Sequence, residues 1–534
     1  MSTEYDVIII GGAFSGSSEG ILLKRARPET RVLIVESQTA FTLHDGESTS
    51  AVAGCFLTRV LRQHSWLVRH QLPQQGLRFW FNSPENEPAN DDVRRCGEIG
   101  PYHHGHLPTF HLDRATLDEH LLEEARAAGC EVWRPAKVKA VNLGGVGKNT
   151  LDIERDGSLV SVQATWVIDA SGRAAMLARK MGTLRHLEEH TTSSMSARWR
   201  GVTDLDGWEA SQILGEEGTP AWPVARMMAT HHLCGHGWWG WLIPLKNGEM
   251  SAGLTWDPRL FTPPAGDTIG ARVQAHLMTH PLGRLMLAKA EPLTREDHTC
   301  SQLAYYNEQA AGDGWACIGD AAGFMDPLYS QGLDFCAYTT YTVRTLVLKS
   351  LQGMEVTKES RKYALDYRKS YHRWYRALYK GKYEYMGDLE LMWAAILLDL
   401  GTYFTGPVHR VYHRTDHAFS MLPHLGLRGL FFGWWKGLSH RRLAAIARRR
   451  MAAGVYGCRN LDQRKLIQPD FTPGPAAVKI IWAGLQQWLK LEIHALFLKP
   501  RPDHKPTIPA LKRVTTPTTT PTTTPTAPEA ADPA

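Results

Sequence analysis

The chain has 534 residues, of which 43% are apolar and 21% are charged, and its formal net charge is +6 at pH 7. At about 150 residues per domain this length allows several units with a large core, which excludes a small disulfide or zinc scaffold. So slight a positive excess gives little support for nucleic-acid binding, which needs a concentrated basic face. The eight cysteines show no CxxC and no zinc spacing, so we expect buried thiols in a reducing compartment.

The N-terminus lacks the basic stretch and long apolar run of a secretory signal, because Glu4 and Asp6 lead directly into a four-residue apolar run. No uncharged apolar window approaches the ~18 residues that a membrane-spanning helix needs. We therefore expect a cytoplasmic protein.

The first chemical signal is a strand, a glycine turn and a helix. A buried strand over Tyr5–Ile10 runs directly into the turn, and a helix follows from about Ser17 to Arg27. In dinucleotide folds the pyrophosphate binds to the N–H groups of such a turn. The turn residues expected at the cofactor are Gly11, Gly12, Ala13 and Gly16.

An acidic residue strengthens this interpretation. Glu36 ends a second buried strand about 20 residues after Gly16, where a carboxylate can accept both ribose hydroxyls. The alternative is a strand–helix–strand unit with a tight turn and no nucleotide.

A second nucleotide signature lies far along the chain. A short strand ends in Gly319-Asp320, and Asp320 could bind a ribityl hydroxyl. The turn from Pro327 to Gly332 then offers N–H groups to the edge of a flavin ring. A dinucleotide start joined to a distant Gly-Asp strand is typical of enzymes that bind FAD in an extended form. The predicted fold is therefore α/β, with a Rossmann-like FAD-binding domain of the glutathione-reductase type.

Composition divides the rest of the chain. Residues 1–345 are expected to form the FAD-binding domain, with a β-rich substrate domain inserted at about 60–110 and 175–300. Residues 346–504 are aromatic, basic and helical in period, and strands are hard to find there. The Thr/Pro repeats of 505–534 predict a disordered tail.

Two further motifs carry a family resemblance. Trp239-Gly-Trp241-Leu-Ile243-Pro244 fits W-x-W-x-I-P, and Phe324–Gly332 fits F-x-x-P-x-x-S-x-G with Ser330 as its serine. With the segments 46–49 and 113–118, these motifs make residues 5–345 resemble the flavin-dependent halogenases, a branch of the FAD monooxygenase superfamily.

The resemblance implies FAD as the cofactor and adds Glu47 and Arg114 to the cofactor-binding residues. It also implies that Trp239 and Trp241 line a tunnel between flavin and substrate, next to Ser330. The alternative for the two tryptophans is an ordinary aromatic core strand.

One departure from the family bears on the chemistry. Active halogenases carry a lysine after the G-E-S-T segment, whereas this sequence has none between Lys24 and Lys137. Arg78 occupies the lysine position in one register and Asn82 in another, and arginine lacks the nucleophilic neutral amine that lysine can offer. Tyr329 stands where tryptophan-type halogenases have a glutamate.

The sequence therefore favours an FAD-dependent monooxygenase or oxidase that acts on an aromatic or polyene-like metabolite, either as a small molecule or bound to a carrier protein. Reduced FAD would come from a separate flavin reductase or from transient NAD(P)H. The alternatives are a halogenase that uses a substituted cation such as Arg78, and a non-catalytic flavoprotein that docks a partner.

Two groups of histidines and one basic, aromatic segment each allow a simple structural explanation. The histidines at 103, 104 and 106, and those at 231, 232 and 236, favour loop or pocket roles, because their spacing does not suit a metal. We predict no metal site. The basic, aromatic segment 430–450 either packs over the substrate domain or docks peripherally on anionic lipid or a carrier protein.

Overall fold

The protein is described by a computed structural model that covers residues 4–42, 46–83, 90–101, 105–214, 225–293, 298–413, 418–420, 422–467 and 475–501. The predicted disordered tail, 505–534, lies outside the described residues.

The strands are β1 (Glu4–Ile10), β2 (Val32–Val35), β3 (Leu72–Pro73), β4 (Leu77–Phe81), β5 (Gly97–Pro101), β6 (Phe110–His111), β7 (Glu131–Trp133), β8 (Ala136–Asn142), β9 (Asn149–Arg155), β10 (Ser158–Asp169), β11 (Leu184–His186), β12 (Ser193–Arg200), β13 (Thr230–Gly235), β14 (Trp238–Pro244), β15 (Met250–Trp256), β16 (Glu291–Pro292), β17 (His298–Cys300), β18 (Tyr305–Asn307), β19 (Ala311–Gly312), β20 (Trp315–Cys317), β21 (Gly323–Phe324) and β22 (Arg464–Ile467).

The α-helices are α1 (Phe14–Ala26), α2 (Ala51–Cys55), α3 (His64–His70), α4 (Arg114–Ala127), α5 (Met176–Lys180), α6 (Trp208–Leu214), α7 (Ile269–Leu277), α8 (Pro281–Leu287), α9 (Gly332–Leu351), α10 (Thr357–Leu378), α11 (Leu389–Tyr403), α12 (His409–His413), α13 (Gly426–Ala452) and α14 (Pro475–Leu496).

An eight-stranded sheet organises the first part of the chain, with the order β19-β20-β10-β1-β2-β7 and with β8 and β9 joined beside β10. Strands β20, β10, β1 and β2 are parallel, and β1 and β2 read as unbroken apolar runs because both faces of the sheet are covered. Ile10 aligns with Val35 and with Asp169, which in turn aligns with Cys317. The turns that follow these strands therefore meet at one edge of the sheet, the usual ligand position in such folds.

A nine-stranded sheet takes all its strands except β22 from the segments expected to form the substrate domain, with the order β16-β12-β15-β14-β13-β4-β5-β22 and β17 beside β12. Strand β14, which carries the tryptophan motif, lies in its interior between β13 and β15. Strand β22 pairs in parallel with β5, so the region expected to be helical contributes one strand to this sheet. Sequence analysis missed β22 because a four-residue strand that lies half exposed at a sheet edge has no clear alternation.

The C-terminal region packs as a helical layer in which α10 contacts α13, and α11 contacts both α13 and α14. Helix α9 crosses the predicted boundary at residue 345 and packs on α1. One continuous helical stretch, Leu389–His413, is long and apolar enough by composition to cross a membrane, but 61% of its apolar window is buried inside the protein. That burial is the environment of a core helix.

Candidate active site

The glycine turn after β1 allows very close backbone approach. A Cβ on Gly16 would lie 1.9 Å from the carbonyl oxygen of Gly11, and Gly11 itself has a φ of +99°. Side chains are excluded at both positions. The N–H of Gly12 donates to Oε2 of Glu36 at 2.7 Å, so the acidic residue at the end of β2 lies against the turn.

The distant Gly-Asp segment closes on the same turn. A Cβ on Gly319 would lie 2.3 Å from Oγ of Ser15, and Gly319 has a φ of +56°. Burial raises the pKa of the adjacent Asp320 carboxyl, while the guanidinium groups of Arg114 and Arg173 oppose that shift. Two segments about 300 residues apart therefore form one site.

A cavity of about 290 Å³, the motif cavity, opens at this edge of the sheet. Nine of the predicted site residues line it: Ala13, Glu47, Arg114, Trp239, Trp241, Asp320, Pro327, Ser330 and Gly332. Gly11, Gly12, Gly16, Glu36 and Gly319 belong to the turns just described and are not among its lining residues.

The motif cavity fits a phosphorylated, sugar-bearing cofactor. Arg114 donates from Nη2 to Asp118 at 3.0 Å, but its buried Nε has no hydrogen-bond partner. A buried donor without a partner is costly, and an anionic ligand would satisfy it. Glu47 accepts a hydrogen bond from Arg198, which fixes that acid at the cavity wall.

The two motif tryptophans lie side by side in the motif cavity, with ring centroids 5.7 Å apart. Nε1 of Trp239 donates to the hydroxyl of Tyr383 at 3.0 Å, and that hydroxyl donates to Asp326 at 2.8 Å. Nε1 of Trp241 donates to Ser251 at 3.2 Å. Both rings are therefore held in fixed orientations while they also face the cavity.

The histidines have separate environments. His232 lines the motif cavity with its ring 5.2 Å from that of Trp239, and burial lowers its pKa to about 4. His231 is buried elsewhere, hydrogen bonded to Trp80 and to the carbonyl of Arg226. His103 and His104 lie outside the described residues. No group of three potential ligands within the described ranges is arranged to hold a metal ion.

A second cavity of about 190 Å³, the apolar cavity, lies between β4 and the helices α10 and α11. Its walls are mainly aliphatic and aromatic, with a few amide and hydroxyl groups. The lining includes Gln74, Gln75, Phe79, Asp399, Leu400 and Tyr403.

Two backbone segments separate the cavities. In one, Ser48 lines the motif cavity and Thr49 the apolar cavity; in the other, Ser330 lines the motif cavity and Tyr329 the apolar cavity. Among the described residues, none lines both. Tyr329 and Ser330 have φ values of +70° and +56°, a left-handed conformation that is strained for residues with a side chain. We call these two segments the wall.

The structure corrects the hypothesis that Arg78 takes the place of the family lysine. Arg78 is fully buried, donates to Oε1 of Glu98 at 2.6 Å, and lines neither cavity. Asn82 also lines neither cavity and pairs with Asn90. The β4 side chains alternate, so Leu77 and Phe79 face the apolar cavity and Arg78 points away.

A buried charged cluster that the sequence did not predict lies behind the wall. Asp399 of α11 accepts hydrogen bonds from Lys382 at 2.5 Å, from the Tyr329 hydroxyl at 3.0 Å, and from Lys436. Burial would raise the pKa of Asp399, but the two ammonium groups hold it well below its usual range. Burial also lowers the pKa of Lys382 to about 8. The available signal was Asp399 itself, an acid within an apolar helix.

The basic segment 430–450 is divided between two roles. Leu430, Phe431 and Trp434 are exposed. Four of its cations instead pair with acids of the fold, namely Lys436 with Asp399, Arg442 with Glu492, Arg448 with Glu384, and Arg450 with Asp388. Lys436 and Arg450 are buried in these pairs, whereas Arg442 and Arg448 stay on the surface with part of their charge balanced by an acid.

Comparisons with known proteins agree with this architecture. A family model for tryptophan halogenases matches residues 63–374. The flavin-dependent halogenase armH5 of Armillaria mellea is 24% identical over 373 residues, 66% of each chain. A chlorinase of 1H-pyrrole-2-carbonyl peptidyl-carrier protein from Pseudomonas fluorescens is 23% identical over 381 residues, 67% of this chain and 78% of that one. The part of this chain that matches armH5 spans just under two thirds of the length of armH5.

A solved structure is similar over almost the whole chain. The halogenase PltM in complex with phloroglucinol and FAD superposes with a TM-score of 0.68 and 18% identity, covering 90% of this chain and 96% of that one. At this identity the likeness establishes the fold.

Proposed function

Because the chain belongs to the tryptophan halogenase family, a family of FAD-dependent oxidoreductases, we propose that it halogenates a small aromatic molecule with FAD, O2 and a halide ion. The observation that carries this proposal is the wall, since the motif cavity and the apolar cavity share no described lining residue. This replaces direct oxygenation, which the sequence favoured, as the first choice.

Separate cavities require an oxidant that can move. An aromatic substrate in the apolar cavity does not reach the motif cavity, so direct transfer between flavin and substrate lacks the necessary contact. Reduced FAD would supply two electrons and two protons, with which O2, a halide ion and one further proton give hypohalous acid and water. Hypohalous acid is small enough to cross the wall, and it replaces a ring hydrogen by halogen with release of water.

The protein's own residues support this division. The glycine turn and Glu36 would hold the adenosine end of FAD, and Asp320 and Arg114 would hold its middle part. Trp239 and Trp241 line the motif cavity, as Ser330 does, so they would keep a bulky substrate away from the cofactor. The apolar cavity, meanwhile, excludes water from an aromatic ring through side chains such as Phe79 and Leu400.

We propose a free aromatic molecule as the substrate. The cavity of about 190 Å³ suits a compound of one or two rings. The relative that acts on a carrier-bound pyrrole makes a carrier-bound substrate the alternative, and PltM is similar in fold with phloroglucinol bound. A separate flavin reductase would supply reduced FAD. We also propose a cytoplasmic protein whose exposed aromatic side chains on α13 allow peripheral membrane contact.

Direct oxygenation is kept as the second candidate because of one observation. No lysine is found among the described residues that line the apolar cavity. Without an amine at the substrate, the hypohalous acid itself must reach the ring.

The test is turnover of the reduced FAD-loaded protein with O2, bromide and a panel of phenols and indoles, followed by mass spectrometry. Leu400→Trp, which fills the apolar cavity, should abolish bromination while peroxide release continues. Leu365→Trp is the matched control, because Leu365 is 42% exposed and lies on α10 outside the cavity. Oxygenated products without bromine would favour the second candidate.

A further inference from the structure

The Tyr329 hydroxyl is held in an unusual way at the wall of the apolar cavity. It donates its proton to Oδ2 of Asp399 at 3.0 Å and accepts a hydrogen bond from Nζ of Lys382 at 2.9 Å. Tyr329 and Asp399 both line the apolar cavity, whereas Lys382 lies behind them with its side chain fully buried. This polar group thus lies among the mainly apolar residues that line the cavity.

The bonds to Asp399 and Lys382 determine which hydrogen-bonding site of the Tyr329 hydroxyl is left for a ligand. A tyrosine hydroxyl has one proton and two acceptor sites, and a lysine ammonium can only donate. The proton is therefore committed to Asp399, and Lys382 fills one acceptor site. One acceptor site remains. Asp399 is less available, because its Oδ2 already receives bonds from Tyr329 and Lys382 and its Oδ1 receives one from Lys436.

The strained backbone points to the same group. Tyr329 adopts its left-handed conformation directly before Ser330 in the wall, and its ring carries the Lys382 ammonium 4.4 Å from the ring centroid. Contacts from two elements of the helical region, the turn Lys382–Glu384 and α11, therefore hold a strained residue in place. Strain of this kind persists only where the surroundings enforce it.

We propose that Tyr329, fixed by Asp399 and Lys382, is the acceptor that recognises an O–H or N–H group on the aromatic substrate. The substrate class is then a phenol or an N–H heteroaromatic, and an ether or N-methyl analogue is discriminated against. This inference rests on the proposed function only in taking the apolar cavity as the substrate site. Tyr329 contacts the substrate; Lys382 and Asp399 are positioning residues.

The test is equilibrium binding to the FAD-loaded protein without halide or reductant. The probes are 2-naphthol and 2-methoxynaphthalene, which share the ring system and the oxygen atom and differ by the methyl group that replaces the donor hydrogen. The wild type should bind 2-naphthol about tenfold more tightly, the effect of one hydrogen bond in an apolar site. Tyr329→Phe should remove this preference without weakening the binding of 2-methoxynaphthalene.

The matched control is Tyr403→Phe. Tyr403 lines the same cavity, and its hydroxyl donates to Asp334 at 3.1 Å and accepts from the N–H of Val52 at 3.3 Å, so it is the second tyrosine hydroxyl from which Tyr329 must be distinguished. This variant should keep the preference. Lys382→Met should weaken it, since the Tyr329 hydroxyl then loses one of the two groups that fix its position. Leu400→Trp should bind neither probe, which assigns binding to the apolar cavity.

Equal affinities of the wild type for the two probes would overturn the inference, even if no variant folds. Loss of the preference in both tyrosine variants, or in neither, would also overturn it. Because the assay involves no turnover, a retained preference together with a failure to brominate any donor-bearing aromatic would contradict the proposed function alone.

Discussion

Arg78 and Glu98 form an ion pair in which neither side chain is more than 1% exposed, with Nη1 and Oε1 2.6 Å apart. Arg226 lies 3.8 Å from the other carboxylate oxygen and compensates Glu98 only partly. The pair joins β4 to β5 in the substrate sheet. Arg78 is therefore part of the fold and not of the chemistry.

Arg78→Met should lower the free energy of unfolding by about 3–5 kcal/mol, because it leaves a buried carboxylate without its main partner. The double variant Arg78→Met, Glu98→Leu should recover most of that loss. Urea unfolding measures both. A stable single variant that binds FAD but has lost turnover would return Arg78 to the active site.

Gly16→Ala should abolish FAD binding, because the added Cβ would lie 1.9 Å from the Gly11 carbonyl oxygen and displace the turn. Gly406→Ala is the control, since a Cβ there meets nothing within 4 Å. The measurement is flavin absorbance per mole of protein after reconstitution with FAD. Normal flavin content in the Gly16 variant would show that the turn does not hold the cofactor.

His232 should make the protein less stable in mild acid. Burial keeps its folded-state pKa at about 4, against 6.5 for the ordinary group, so the unfolded state takes up this proton first as the pH falls. The stability that neutral, buried His232 gives the folded state is fully present above pH 6.5 and is lost as the pH falls to about 4.

As the pH is lowered from 6.5 to about 4, the free energy of unfolding should fall less steeply in His232→Gln than in the wild type. The two slopes should differ by up to about 1.4 kcal/mol per pH unit. The other buried histidines are unchanged in the comparison and cancel. Parallel pH curves for the variant and the wild type would mean that His232 takes up its proton at the same pH in the folded and the unfolded state.

Membrane contact through α13 and α14 should depend on apolar side chains. Trp434 and Trp482 are 60% and 62% exposed, whereas most of the nearby cations of α13 are paired with acids. Co-sedimentation with lipid vesicles should therefore survive high salt and be lost in Trp434→Ser, Trp482→Ser. Binding that disappears with salt would instead indicate an electrostatic surface.

The short motifs could be predicted from the sequence because each consists of residues that are neighbours along the chain. The glycine turn, Glu36 and Gly319-Asp320 were predicted as parts of a nucleotide site, and the tryptophan motif as the lining of a tunnel beside it. The structure places the turns at one edge of the first sheet and the two tryptophans in the cavity that opens there. Parallel strands bring such turns together as a rule, so their meeting could be expected.

The wall and its charged cluster could not be predicted in the same way. Asp399 lies 70 residues from Tyr329 along the chain, and Lys382 lies 53 residues from it. Neither Lys382 nor Lys436 lies in a sequence motif. Only the packing of the helical layer against the second motif brings the two lysines to Asp399 and Tyr329. Likewise, Arg78 resembled a catalytic cation in sequence, and its direction became clear only from the pairing of β4 with β5.

The central claim is that a small oxidant crosses the wall from the motif cavity to the apolar cavity. The most direct measurement is turnover of the reduced holoprotein under 18O2 with bromide and a phenolic substrate, with the product analysed by mass spectrometry. The account predicts a product with the bromine isotope pair and no 18O, since the oxygen leaves as water. A product that carries 18O and no bromine would contradict it.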